Sequence, residues 1–154
     1  MVEQVSIATP ALAGTAHDVE LWSRLDALTG RINQRLDQNI TGEFGIALSE
    51  FFTLRALIPD GERGARVQDV AHAVGINAST MSRIVTRLQN RGLVQRVTCD
   101  FDKRGVYCAI TTDGRNLAIN IETTIAPKLA HLLDEAALDI DTAVIVTRLR
   151  HTPR

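Results

Sequence analysis

The sequence predicts a mainly α fold with a small β ribbon near its middle. Three observations predict it. Both ends carry long stretches with apolar residues at helical spacing. Between them lie two short helical stretches separated by a tight glycine-containing turn. Directly after these come two alternating segments with a turn signal between them. Helix, tight turn, helix and ribbon make a winged helix-turn-helix, here with helices flanking it on both sides. The 154 residues suit one domain, 1–154, with a sizeable core.

The elements follow in order. Residues 1–14 show no period, with Pro10 and Gly14 as breakers, and read as an arm. Over about 15–39, Val19, Trp22, Leu25, Leu28, Ile32 and Leu36 recur every three or four residues, the stripe of a long amphipathic helix. Thr41, Gly42 and Gly45 are expected to break it. Ser49 reads as the N-cap of a short helix, SEFFTLRALI, which Pro59 ends. PDGERGA is a loop. RVQDVAHAVG places Val67, Val70, Ala71 and Val74 on one stripe, with Gly75 as its C-terminal cap. Asn77 then caps a second helix over about 78–91, stopped by Gly92. LVQRVTCDF and VYCAIT alternate around DKRG and form a hairpin over about 93–111. Thr111 or Thr112 caps a long helix whose stripe runs Leu117, Ile121, Ile125, Leu129, Leu132 and Ala136, with a kink or break expected at Pro127. Asp139 or Asp141 caps a last helix, TAVIVTRLRH.

Composition narrows the class. The net charge of -1 excludes a polycation, and 45% hydrophobic with 23% charged residues is ordinary for a soluble domain. No run of about 18 apolar residues suggests a membrane span, no basic segment precedes the first apolar residues, and two cysteines make no disulfide framework, so a cytoplasmic protein is expected. The charge is unevenly placed. Eight basic against four acidic residues between Glu62 and Thr111 give that stretch +4 and leave −5 for the rest. A central module for an anionic partner is the expectation, with chance clustering the alternative.

The second short helix carries the sharpest signal. At about 100° per residue, Met81, Ile84, Val85 and Leu88 share one narrow arc and face a core. Ser79, Arg83, Thr86 and Asn90 point the opposite way, Ser82 and Arg87 flank them, and Thr80 lies near Arg87. The face holds hydroxyls and arginines and no acid. Such a helix suits a DNA major groove: small residues let the backbone approach, hydroxyls meet phosphates or base edges, and arginine grips guanine with two hydrogen bonds. Ser79, Arg83, Thr86 and Asn90 would then face bases, while Thr80, Ser82 and Arg87 grip phosphates on either side. A merely solvated surface is the alternative. The hairpin tip, CDFDKRGV, adds Lys103 and Arg104 at the end of a ribbon, where an arginine can enter a narrow minor groove, with Asp102 placed to hold the Arg104 guanidinium.

At this point the chain resembles a known family. RVQDVAHAVGINASTMSRIVTRLQNRGLVQR and DFDKRGVYCAITTDGR are similar to the core of the MarR (multiple antibiotic resistance regulator) family. The shared pattern is a helix-turn-helix, then Arg91, Gly92, Leu93, Val94 and Arg96, then Asp102 and Arg104 in the wing, then Ile110, Thr111 and Gly114. The chain departs from it at Asp100, where many members have proline. The resemblance implies a winged helix-turn-helix module over about 46–112, with the recognition helix at about 78–91 and the wing at about 93–111. It also implies dimerisation helices at about 15–39 and 112–152. The implied function is a bacterial transcription regulator: a homodimeric repressor of a pseudo-palindromic operator in double-stranded DNA, released by a small anionic aromatic or other lipophilic effector. His17, Trp22, Phe44, Phe51 and Phe52 are aromatic candidates for an effector cleft, with core packing as the alternative, and no effector residue is assigned.

Other classes are weaker. With DKRG as the turn, Cys99 and Cys108 sit opposite each other on the wing strands, so a redox-responsive regulator is one alternative. The competing reading places both cysteines on the inner face as small hydrophobes, with Val97, Phe101, Val106 and Ile110. A winged-helix protein-interaction module is another alternative, but the outward face of the second helix lacks the aromatics and leucines of a docking surface. No phosphate-binding glycine loop, HExxH, CxxC or carboxylate pair points to an enzyme or a cofactor, and the four histidines are scattered.

Overall fold

Helical periodicity and glycine placement decide most of the architecture. The computed structural model describes residues 14–98, Asp102 and 104–151. Its helices are α1 (Gly14–Phe44), α2 (Leu48–Leu57), α3 (Val67–Val74), α4 (Ala78–Asn90), α5 (Thr112–Leu138) and α6 (Ala143–His151). Its strands are β1 (Ala65–Arg66), β2 (Val94–Val97) and β3 (Tyr107–Ile110), forming one antiparallel sheet in the order β1-β3-β2. The chain divides into two compact units: Gln34–Ala130, and Met1–Asn33 together with His131–Arg154.

In the central unit, three expectations at helix ends and one inside a helix are corrected or resolved. Helix α1 runs through Thr41 and Gly42 to Phe44 and ends at Gly45, whose φ is +67°. A helical glycine costs only about 1 kcal/mol, and Leu36, Ile40 and Ile46, all buried, hold this end in place. Helix α2 starts one residue before Ser49. Ala47 occupies the cap position, and two acids supply the missing acceptors: Glu50 Oε2 accepts the Ala47 N–H at 2.8 Å and Asp37 Oδ1 accepts the Leu48 N–H at 2.7 Å. Helix α5 continues through Pro127. Proline removes one N–H from the ladder, which the burial of Ile121 and Ile125, on the turns just before it, outweighs. Thr111 caps α5, its Oγ1 accepting the Gly114 N–H at 3.1 Å.

The turn between α3 and α4 forms as its residues dictate. Gly75 adopts the left-handed conformation, φ 77° and ψ 30°, and closes α3. Asn77 begins α4, its Oδ1 accepting the Thr80 N–H at 2.8 Å. Met81, Ile84, Val85 and Leu88 then bury completely, packing α4 with α2 and α3.

The sheet contains a strand that the loop reading of PDGERGA missed. Residues Ala65 and Arg66 pair with Cys108 and Tyr107 of β3. Gly64 makes this possible: its φ is +70°, and a Cβ there would stand 2.6 Å from the Cys108 carbonyl oxygen. On the other side of β3, Val94 pairs with Ile110 and Arg96 with Cys108. The strands are shorter than the alternation suggests.

The terminal unit has its own core. Leu28, Ala136 and Val146 cluster with Ile32, Leu133 and Ala137, and ion pairs Arg24–Asp141 (3.0 Å) and Arg150–Asp134 (2.7 Å) edge it. Asp139 precedes α6, its Oδ1 accepting the Asp141 N–H at 2.8 Å and its carbonyl the Ala143 N–H at 2.8 Å. Large apolar side chains remain exposed in this unit: Val19, Leu21 and Trp22 on α1, Leu138, Ile140 and Val144 near α6. Among the described residues, no helix is long and apolar enough to cross a membrane.

The cap of α4 sets a measurable stability. Replacing Asn77 by alanine is expected to lower unfolding free energy by about 1 kcal/mol, while Asn77→Asp retains it. Urea midpoints of the three proteins check this, and equal midpoints for Asn77→Ala and the parent would contradict it.

Candidate nucleic-acid interface

The outward face of α4 is where its periodicity places it. Ser79, Thr80, Ser82, Arg83, Thr86, Arg87 and Asn90 are all exposed. Ser79, Ser82, Arg83, Thr86 and Arg87 line one shallow depression. Two of its four hydroxyls bond locally: Ser79 Oγ donates to Asn77 Oδ1 at 2.8 Å and Thr86 Oγ1 donates to the Ser82 carbonyl at 2.9 Å. What these two residues turn outward is oxygen lone pairs, so they are acceptors for base amino groups rather than donors. Arg83 makes no side-chain hydrogen bond or ion pair among the described residues, which leaves all five of its donors available.

Two arginines on this helix are partly committed within the protein. Arg91 Nη1 donates to the Gly45 carbonyl at 2.8 Å, tying the end of α4 to the end of α1. Arg87 Nε donates to Glu50 Oε1 at 2.8 Å.

The wing is built differently from the sequence expectation. Asp102 was expected to hold the guanidinium of Arg104; instead its carboxylate grips Arg66. Arg66 Nε donates to Asp102 Oδ2 at 2.8 Å, and Nη2 donates to the same oxygen. Tyr107 Oη adds a third donor to Oδ2 at 3.1 Å, while Oδ1 accepts the backbone N–H groups of Arg104 (3.2 Å) and Gly105 (3.1 Å). The reason is reach: β1 brings Arg66 alongside Tyr107, and a carboxylate two residues before Arg104 curls onto the turn backbone. Gly105 is required in this knot, because a Cβ there would collide with the Asp102 carboxylate and the Tyr107 ring. Hydrogen bonding to Arg66 lowers the Asp102 pKa below the usual aspartate range, against a smaller opposing effect of desolvation, and raises that of Arg66. Arg104 thus meets Asp102 only through its backbone N–H, and the residue is exposed. With Arg66, Arg96 and Ser82 it lines a cleft between the wing and α4. Lys103 lies outside the described residues.

The cysteine expectation is also corrected. Cys108 faces Arg96 across β2 and Ala65 across β1, so the register does not set it opposite Cys99. Cys99, like Asp100 and Phe101, lies outside the described residues. Cys108 is a free, fully buried thiol whose pKa burial pushes up to about 11. Among the expected inner-face residues, Ile110 is buried and Val97 half-buried, but Val106 is exposed.

Arg66, Tyr107 and Glu50 were not singled out from the sequence, and Arg96 only as part of the family pattern. Arg66–Asp102 spans 36 residues and Arg87–Glu50 spans 37, and no local spacing signals such a pair.

A helix-turn-helix with an acid-free outward face and a basic wing defines a winged helix-turn-helix protein. Residues 44–105 match the model described as the MarR family. The fold is that of solved members. The regulator BldR from Sulfolobus solfataricus aligns with a TM-score of 0.74 at 16% identity, over 90% of this chain and 96% of that one. A mutant MarR from E. coli complexed with operator DNA aligns with a TM-score of 0.70 at 17% identity, over 90% and 96%. Sco3205, a MarR family regulator from Streptomyces coelicolor in complex with DNA, aligns with a TM-score of 0.63 at 24% identity, over 86% and 80%. A search of curated protein sequences finds no match. Over residues 44–105, which include the helix-turn-helix, the chain is thus similar to the MarR family, and its fold is shared with solved regulators of that type.

Two outcomes follow from the wing chemistry. The depressed Asp102 pKa means that its ion pair supports the wing above the usual aspartate range and is lost as pH falls through the lower folded value. Carboxyl NMR titration should therefore show Asp102 titrating below a model aspartate, and Arg66→Ala should move the midpoint upward; an unmoved midpoint would refute the pairing. Cys108 should resist alkylation by iodoacetamide at pH 7 in the folded protein and react on unfolding, as read by mass spectrometry of the Cys108 peptide.

Proposed function

We propose that this protein is a MarR-type transcription regulator: a sequence-specific DNA-binding protein that acts as a homodimeric repressor of a pseudo-palindromic operator. The observation that carries the reading is the outward face of α4: Arg83 with all its donors uncommitted, Ser79 and Thr86 offering acceptors, Asn90 beyond them, and no acid. Thr80, Ser82 and Arg87 flank this row and would meet phosphates. Arg104, with Lys103, would meet the minor groove from the wing. The DNA recorded with Sco3205 and with the MarR mutant supports this reading.

Dimerisation is supported by the terminal unit. Val19, Trp22, Leu138, Ile140 and Val144 are each more than half exposed, an apolar surface that a second copy would cover. A two-fold operator calls for a two-fold protein. Release by a small lipophilic or aromatic anion fits the same scheme, since a ligand preferring one spacing of the two recognition helices shifts DNA affinity. Asp102 enters as the anchor of the wing.

Arg83→Ala should weaken binding to a selected operator by about 1–3 kcal/mol and relax the preference at one base pair per half-site. Arg104→Ala should weaken binding and flatten its salt dependence. Selection from random duplexes, followed by gel shifts over a salt series, measures both; parent-like selectivity and salt slope in these variants would refute the assignment.

A further inference from the structure

Glu50 is a buried acid on α2, the helix that packs against α4. Its Oε2 accepts the Ala47 N–H at 2.8 Å and its Oε1 accepts the Nε–H of Arg87, also at 2.8 Å. The Glu50 side chain is 8% exposed and that of Arg87 is 56% exposed. A carboxylate this deep requires partners for its charge. The arrangement on the arginine side is the informative part. A guanidinium carries five N–H donors in a rigid plane. Here only the Nε edge meets Glu50; the two Nη groups have no partner among the described residues, and Arg87 lines the depression with Ser79, Ser82, Arg83 and Thr86.

We propose that Glu50 is a positioning residue for DNA binding: it holds Arg87 by the Nε edge so that the Nη groups are aimed, before DNA arrives, at a backbone phosphate beside the bases that Arg83 reads. The inference rests on the DNA-binding reading above. An arginine on a surface helix samples many rotamers and loses that freedom when it binds; one already held in place loses less. Glu50 thus acts on DNA through Arg87, without touching it.

The test uses the full chain, an operator selected from random duplexes, and fluorescence anisotropy over a salt series. Arg87→Ala should weaken selected and scrambled DNA alike, by roughly tenfold per half-site, and lower the salt slope by about one per half-site. Glu50→Gln keeps an acceptor for the Ala47 N–H but loses its grip on Arg87. It should reproduce most of that loss, yet add nothing in an Arg87→Ala background. A merely structural role for Glu50 would persist in that background. Arg87→Lys covers the case in which the Glu50 variant fails to fold: the charge stays and the fork is lost, so affinity should fall with the slope retained. Parent-like affinity in Glu50→Gln or Arg87→Lys would overturn the inference, as would tighter binding with a steeper slope in Glu50→Gln, which would mean that Glu50 withholds Arg87 from DNA. If the parent protein binds and selects no duplex, the DNA reading falls as well; parent binding combined with any of these contrary results overturns the positioning role alone.

Discussion

The central unit depends on the complete burial of one stripe of α4. Met81, Ile84, Val85 and Leu88 leave essentially no surface exposed. With 3.6 residues per turn, burying that stripe fixes the rotation of the helix about its axis. Ser79, Arg83, Thr86 and Asn90 then have no choice but to face outward. The side-chain cap at Asn77 and the left-handed Gly75 fix where the helix starts, so rotation and axial position are both determined by short-range chemistry. The contents of the outward face are free of that constraint, and they are what distinguishes a binding helix from an ordinary solvated one.

Around this helix, charge does what apolar packing cannot. Glu50 closes the start of α2 and reaches Arg87; Arg91 reaches the Gly45 carbonyl; Asp102 gathers Arg66, Tyr107 and two turn amides. Each joins segments far apart in the chain, and each polar group is matched with a partner. Among the described residues no buried side-chain nitrogen or oxygen lacks a hydrogen bond. In the wing this matters most beyond the paired strands, where Val106 is exposed and the Asp102 knot holds the turn backbone at Arg104 and Gly105.

Local signals made the helices, the glycine turn, the Asn77 cap and the outward face of α4 legible in the sequence, since period, cap and glycine all act within a few residues. What was missed acts at longer range. Ala65 and Arg66 are too short a segment to alternate, and they become a strand only because Gly64 permits a backbone approach to Cys108. The Asp102 partner was sought two residues away and lies 36 away. Cross-strand register put Arg96, not Cys99, opposite Cys108, because the paired strands stop at Val97 and Tyr107. Ser49 looked like a cap, yet acids from α1 and α2 supplied the acceptors instead. The exposed apolar residues of the terminal unit were legible as a stripe, but a stripe alone does not say what covers it.

The division of labour on α4 has an evolutionary side. Among the described residues Arg83 makes no side-chain hydrogen bond or ion pair, so replacing it leaves the packing, the cap and the ion pairs described above untouched. The residue at the centre of the reading face can therefore change without a toll on folding, and so can its neighbour Asn90. Arg87 and Arg91 are different, because each is tied to a distant segment. If α4 reads DNA as proposed, duplicated copies of such a chain can drift to new target sequences at the middle of the helix while the positions that frame it stay put.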